Sequence, residues 1–217
     1  MNKEEIISKT VEYVKGKLSG ESSGHDWWHV YRVWKIGKHI AEIEKADSFV
    51  VELAALLHDI ADWKFNDGDE TIGAKVSKEW LESLNLEKEV IDHVCEIIQD
   101  SSFKGAGVEN KIKTLEGKIL QDADRLDAIG AIGVARAFAY GGSKNREMYN
   151  PNVKPEFHVT SEQYKNNNSS TINHFYEKLL LLKDLMHTNE AKKIAEEKNR
   201  FMELFLNKFM KEWEGDN

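Results

Sequence analysis

Residues 48–60 read SFVVELAALLHDI, and this stretch decides how the rest of the chain is read. Phe49, Val50, Leu53, Ala54, Leu56 and Leu57 place apolar side chains on most sides of one helix. A helix that is apolar nearly all round belongs in a core, so this one is read as central and buried. Asp47 and Ser48 are candidate caps for its start, and it ends in the polar cluster that begins with His58-Asp59. Any chemistry is therefore expected at that end. Working outward, Val30, Val33, Trp34 and Ile40 recur at three and four in a preceding helix. Ile7, Val11, Val14 and Leu18 do the same in a first one, across a Ser/Gly-rich turn. Downstream, helices are expected at about Thr71 to Leu84, Lys88 to Gln99, Thr114 to Tyr140, Thr171 to His187 and Glu190 to Trp213. The only prolines, Pro151 and Pro155, share one stretch, and strict two-residue alternation is absent. The expected fold class is all-α, a single compact helical bundle.

With 217 residues, 41% hydrophobic and 10% aromatic, the chain can fill a sizeable core. Thirty Lys and Arg against 38 Asp and Glu leave a net charge of −8, which argues against nucleic acid and anionic membranes as partners. The lone Cys95, the charged opening MNKEEIISK and a longest apolar run of only Leu179 to Leu182 point to a cytoplasmic protein that does not enter a membrane. The polar stretch at about 141–170 is long for a connection within a domain and reads as a loop or flap. The last two helices, with Phe175, Leu179 and Leu182 and then Phe201, Leu204, Phe205 and Phe209, are expected to pack back on the bundle, making 1–217 one domain.

Histidine is the most informative residue type. His25, His29, His58 and His93 fall in the first half, with Asp26, Asp59 and Asp92 beside three of them. An imidazole next to a carboxylate suits a divalent cation that accepts both nitrogen and oxygen ligands. Taken alone, His58-Asp59 is as well explained by a core histidine satisfied by its neighbour. The pattern HDWWH at 25–29 has the spacing of a zinc-protease helix, but such helices use a glutamate base and Asp26 is one methylene shorter. A further candidate is Asp124, in a segment that is otherwise small and apolar. An acidic group there is costly unless paired or metal-bound. In one continuous helix Asp124 shares a face with Gly117, Ala128 and Ala131, whose small side chains would admit another helix and a metal. Asp122 lies about 200° away round that helix.

His29, then His58-Asp59, then Asp124 follow the ordered H…HD…D signature, and the chain thereby resembles the HD-domain metal-dependent phosphohydrolases. GHDWWHVYRVW, LLHDIADWK, SSFKG, KILQDADRLDAIGAIGVARAFAYGG and HFYEKLLLLKDLMHT extend the likeness to the small bacterial YedJ/YpgQ type over nearly the whole length. The resemblance implies an HD-type helical bundle in which His29, His58, Asp59 and Asp124 bind one divalent metal ion, with waters completing an octahedral shell. Manganese, iron, nickel, cobalt and magnesium all suit such a donor set. Members often carry His-Ser-Phe where this chain has Ser101-Ser102-Phe103, so no phosphate or second-metal contact is carried over to that position.

Around these ligands, Asp62 follows His58 by one turn and is the candidate to orient the attacking water. Lys64 is the first candidate to meet phosphoryl oxygens. His25, Asp26, Arg32, Arg125 and Asp127 are expected near the substrate, although Arg32 and Arg125 could equally serve as structural partners of Asp127 or Asp26. His93 reads as a core residue, and as the ligand to revive if a second metal is found. Trp34 and Trp80 fall at core spacing, while Trp27, Trp28 and Trp63 flank ligand residues and could stack on a base. The function these residues suggest is hydrolysis of a small phosphorylated metabolite, first a nucleoside triphosphate to monophosphate plus pyrophosphate by attack of metal-bound water. The alternatives are a phosphomonoesterase or phosphodiesterase on the same metal, or a nucleotide sensor without turnover.

Overall fold

The computed structural model describes residues 1–18, 26–61, 69, 71–101, 112–156 and 169–216. Among them it holds nine α-helices, one 3-10 helix and no strand. The expectation of an all-α fold is met among these residues. Their contacts divide them into two compact units, one running to Asp124 and one from Arg125 onward.

The first unit contains α1 (Lys3–Lys17), α2 (Trp27–Glu44), α3 (Ser48–Leu57), α4 (Ile72–Ser83), α5 (Lys88–Ser101) and most of α6 (Leu115–Asp127). Helix α3 is its axis: every residue from Phe49 to Leu57 is buried, and α1, α2 and α5 pack on it. Asp47 starts α3 by accepting from the amides of Phe49 and Val50, two of the donors that a helix start leaves without partners. A glycine sets how closely the neighbours approach. A Cβ on Gly37 would lie 3.3 Å from Val51 Cγ1, 3.7 Å from Ala123 Cβ and 3.9 Å from Ala55 Cβ. Helices α2, α3 and α6 therefore meet at this residue, and each carries candidate ligands near the same end.

The second unit contains α7 (Gly130–Ser143), α8 (Thr171–Glu177), the 3-10 helix Leu179–Leu185 and α9 (Asn189–Glu214). Phe138, Phe175, Phe205 and Phe209 gather with ring centroids about 6 Å apart, and Ile172, Ala195 and Met202 complete the core. Both chain directions near the 141–170 stretch are tied down. Glu177 Oε1 accepts from the Glu156 amide at 3.1 Å and from Ser169 Oγ at 2.7 Å, and Asn173 donates to the Val153 carbonyl. Residues 157–168, the middle of the expected flap, lie outside the described residues.

Two long helices expected from periodicity are each divided. The stretch from Thr114 to Tyr140 breaks between α6 and α7: Ile129 is extended (φ −124°, ψ 170°) and Gly130 has φ +75°, a conformation only glycine adopts cheaply. Lys198 Nζ donates to the Leu126 and Ile129 carbonyls at 2.9 and 3.5 Å, replacing helical partners they have lost. The Thr171 to His187 stretch breaks at Lys178 (φ −142°, ψ −57°) and continues as the 3-10 helix.

Two consequences are measurable. A Cβ at Gly133 would fall 2.3 Å from the Ala128 carbonyl oxygen, which is backbone and cannot swing aside. Gly133→Ala is therefore expected to cost about 1–3 kcal/mol in chemical denaturation, the scale of an overpacked site. An unchanged denaturation midpoint would show that the α6–α7 turn yields freely.

His174 titrates abnormally. Burial, helped by the nearby Lys178 and Arg146 charges, lowers its pKa from 6.5 to about 4, so the folded chain keeps it neutral. Below about pH 6.5 the unfolded chain takes up a proton that the fold refuses until about pH 4. Stability from this residue is thus full above that window and falls as the pH drops through it, by roughly 3 kcal/mol at most. His174→Gln should flatten the stability profile across this window, and parallel profiles for the two proteins would rule the residue out as the cause.

Candidate metal centre

The site is built at the ends of the helices that meet around Gly37. Asp26 caps α2 and accepts from the His29 amide at 2.9 Å, which places His29 in the first turn with its ring 2% exposed. His58 closes α3 and is still in helical conformation (φ −59°, ψ −32°), with Asp59 next to it. Its Nδ1 lies 2.8 Å from the Ala55 carbonyl. A carbonyl can only accept, so Nδ1 carries the hydrogen, and in the neutral ring Nε2 presents a lone pair. That nitrogen is buried, makes no well-formed hydrogen bond, and has Asp59 Oδ2 at 3.3 Å.

One donor atom from each of His29, His58 and Asp59 can be chosen so that all lie within 4.8 Å of one another. His29 Nε2 is 3.4 Å from Asp59 Oδ2 and 3.4 Å from Asp124 Oδ1, so the Asp124 carboxylate borders the same nitrogen. The His29 and His58 rings meet edge to face with centroids 5.5 Å apart. Exposure grades across the group, from 2% and 8% for the histidine side chains to 23% for Asp59 and 53% for Asp124. The carboxylate side is thus the one open to solvent.

The electrostatics ask for a cation. Burial is the largest single influence on His58 and opposes its charge, yet the Asp59 and Asp124 carboxylates outweigh it and raise its pKa from 6.5 to about 9. Two carboxylates facing two imidazoles form a mixed nitrogen and oxygen donor set, which fits a divalent metal ion.

Asp122, two residues before Asp124, is fully buried, and it differs in this from the half-exposed Asp124 as their angular separation on α6 implies. The face reasoned for Asp124 holds only in part. Ala128 and Ala131 lie past the end of α6 and Ala131 is exposed, because Gly130 turns the chain. The small residues that do admit a neighbouring helix are Gly117, where a Cβ would lie 3.5 Å from Ile97 of α5, and Ala123, against Gly37 of α2.

The other expected site residues are distributed as follows. His25, Asp62, Trp63 and Lys64 lie outside the described residues. Asp26 is the α2 cap described above, and Arg32 sits half-buried on the same helix. Arg125 donates to the Leu185 carbonyl at 2.7 Å and contacts His187 Nε2 at 3.0 Å. Asp127, 1% exposed, pairs with Arg136. His93 Nε2 is 3.8 Å from Glu116 Oε2 and is not part of the donor group. Trp80 stacks on Tyr13 at 3.9 Å, Trp27 is buried, and Trp28 is 60% exposed one residue before His29. Sequence reasoning missed Gly37, the Ala55 carbonyl and Arg136. For Gly37 a signal existed, since a glycine between Val33 and Ile40 on the core face marks a close helix contact.

The HD domain family matches residues 27–129, a span that contains all four candidate ligands. Over 206 residues the chain is 42% identical to YpgQ of Bacillus subtilis, covering 94% of this chain and 91% of that protein. Among solved structures, an HD-superfamily hydrolase from Bacillus thuringiensis matches with TM-score 0.80 at 46% identity over 98% of this chain and 99% of that one. The Bacillus subtilis YpgQ structure in complex with ADP matches with TM-score 0.78 at 34% identity, over 98% and 97% of the two chains.

Proposed function

Because the chain belongs to the HD superfamily of metal-dependent hydrolases, we propose that it hydrolyses nucleotides, and first a nucleoside triphosphate to monophosphate and pyrophosphate. The observation that carries the reading is the His29, His58 and Asp59 donor group with the Asp124 carboxylate on its open side. The nucleotide part is supported by the ADP complex of YpgQ, a protein similar to this chain over nearly its whole length.

In this reading His29, His58, Asp59 and Asp124 hold one divalent ion. Manganese, iron, nickel, cobalt and magnesium are the candidates, and such an ion supplies positive charge to phosphoryl oxygens and acidifies water. The chain's own residues do the positioning. The Asp26 cap fixes the start of α2 and with it His29. The Ala55 carbonyl holds the His58 ring in the tautomer that points Nε2 into the group. The half-exposed Asp124 side leaves room for an anionic substrate to approach. Asp62 is proposed to orient the attacking water and Lys64 to meet the phosphate chain, with His25, Arg32, Arg125 and Asp127 nearer the substrate's periphery. Among these, the Arg125 and Asp127 contacts with His187, Leu185 and Arg136 also give both residues a structural role.

Among the described residues no helix is long and apolar enough to cross a membrane; a cytoplasmic location is part of the proposal and is supported by the lone Cys95, which has no partner cysteine in the chain.

The test is a panel of nucleoside tri-, di- and monophosphates, with phosphate, pyrophosphate and nucleoside products resolved separately. Pyrophosphate and monophosphate in equal amounts are expected, lost on chelation and restored by manganese. Orthophosphate alone would make the enzyme a phosphomonoesterase. Binding without any product would make it a sensor.

A further inference from the structure

On another face of α2 and α3 the first unit holds a cleft of about 920 Å³, between the start of α1, the later half of α2 and the start of α3. Glu52 and Lys38 line it. Glu52 precedes His58 by six residues, about 240° round α3 and about 9 Å along it. Lys38 follows His29 by nine, about 180° round α2 and about 13 Å along it. The cleft is therefore separate from the metal centre.

Its carboxylates are largely committed. Asp47 takes the amides of Phe49 and Val50. Glu52, 8% exposed, accepts from Trp34 Nε1 at 2.7 Å and has Lys38 Nζ at 3.4 Å. Its other lysines are held by no ion pair among the described residues. Lys3 lies over the Phe49 ring at 4.9 Å and Lys35 over Trp34 at 4.5 Å, and with Lys45 they meet no carboxylate among the described residues. In a chain of net charge −8, the described lining carries four lysines against Glu4, Asp47 and Glu52, a local excess of one positive charge that opposes the overall field, and of these three acids Glu4 alone has no partner among the described residues. A cationic ligand would find Glu4 to pair with but would leave Lys3, Lys35 and Lys45 unmatched, and an apolar one would desolvate charges without pairing them.

The geometry points to a second ligand site, for a small polyanion carrying a phosphate chain. Lys3, Lys35 and Lys45 meet the phosphate oxygens, and Trp34 with Phe49 forms an apolar wall beside them. The volume lies in the range of roughly 300–1,000 Å³ usual for such ligands. Free polyphosphate and a nucleoside polyphosphate share this chemistry, and two probes separate them.

The metal-loaded full chain is titrated calorimetrically with inorganic tripolyphosphate and with a non-hydrolysable nucleoside triphosphate. A class of binding separate from the metal centre is expected with at least one of them. The triple variant K3Q/K35Q/K45Q changes only exposed side chains, and its fold is checked by circular dichroism. It should bind that class about tenfold more weakly, the scale of lost charge-assisted contacts, while its metal content stays the same. Weakening with both probes assigns recognition to the phosphate chain, and weakening with the nucleotide alone adds the wall to the requirement. Asp124→Ala should keep the lysine-dependent class, so the result stands apart from whether the metal centre hydrolyses nucleotides. A single class of binding, or affinities unchanged in the triple variant, would overturn the site.

Discussion

Asp124→Ala is expected to emerge from purification without its metal and with hydrolysis reduced by more than about 100-fold, beyond the upper end of what losing an outer-shell support costs. Asp124 Oδ1 stands 3.4 Å from His29 Nε2, and a methyl group cannot supply the oxygen that this side of the donor group needs. The informative comparison is Asp122→Ala. Asp122 is fully buried and lies about 200° round α6 from Asp124, so its loss should lower stability while metal is retained. Metal per folded chain must therefore be measured at matched circular dichroism. Should the Asp122 variant be metal-free and the Asp124 variant loaded, the ligand set is wrong.

The largest expected effect on stability lies in the second unit. Asp127 is 1% exposed and pairs with Arg136, whose side chain is 33% exposed. Arg136→Leu leaves a buried carboxylate without this cation and is expected to cost about 3–5 kcal/mol in denaturant unfolding. The double replacement Asp127→Leu with Arg136→Leu should recover much of that, because it removes the buried charge along with its partner. A single-variant cost near zero would mean that the charge of Asp127 is compensated elsewhere.

What was legible in the sequence follows from where the information sits. Helix α3 could be bounded nearly to the residue because an apolar run begins at an aspartate cap and ends at a histidine, all within 13 positions. The four candidate ligands could be named because their residue types and order are distinctive, and the structure brings the donor atoms of His29, His58 and Asp59 together with Asp124 beside His29. The division between α6 and α7 was not legible: Gly130 and Gly133 interrupt an apolar periodic stretch, and periodicity does not reveal a positive φ. The Asp127 and Arg136 pair escaped for the same reason. Nine residues is not a helical spacing, and the two meet only once the chain has turned at Gly130. Arg125 was weighed as a structural residue, but its partners Leu185 and His187 are 60 and 62 positions away, beyond any local pattern.

The support of His58 has an evolutionary side. Many histidine ligands are oriented by the side chain of a second residue, and one nucleotide change can then abolish the orientation. Here the acceptor is the peptide carbonyl of Ala55, which any amino acid at that position would supply as long as α3 keeps its course. The orientation of the ligand is thus inherited with the helix instead of with a particular codon. An alanine scan would find His58 and overlook what holds it, and what limits position 55 is the space against Gly37, not the hydrogen bond to His58.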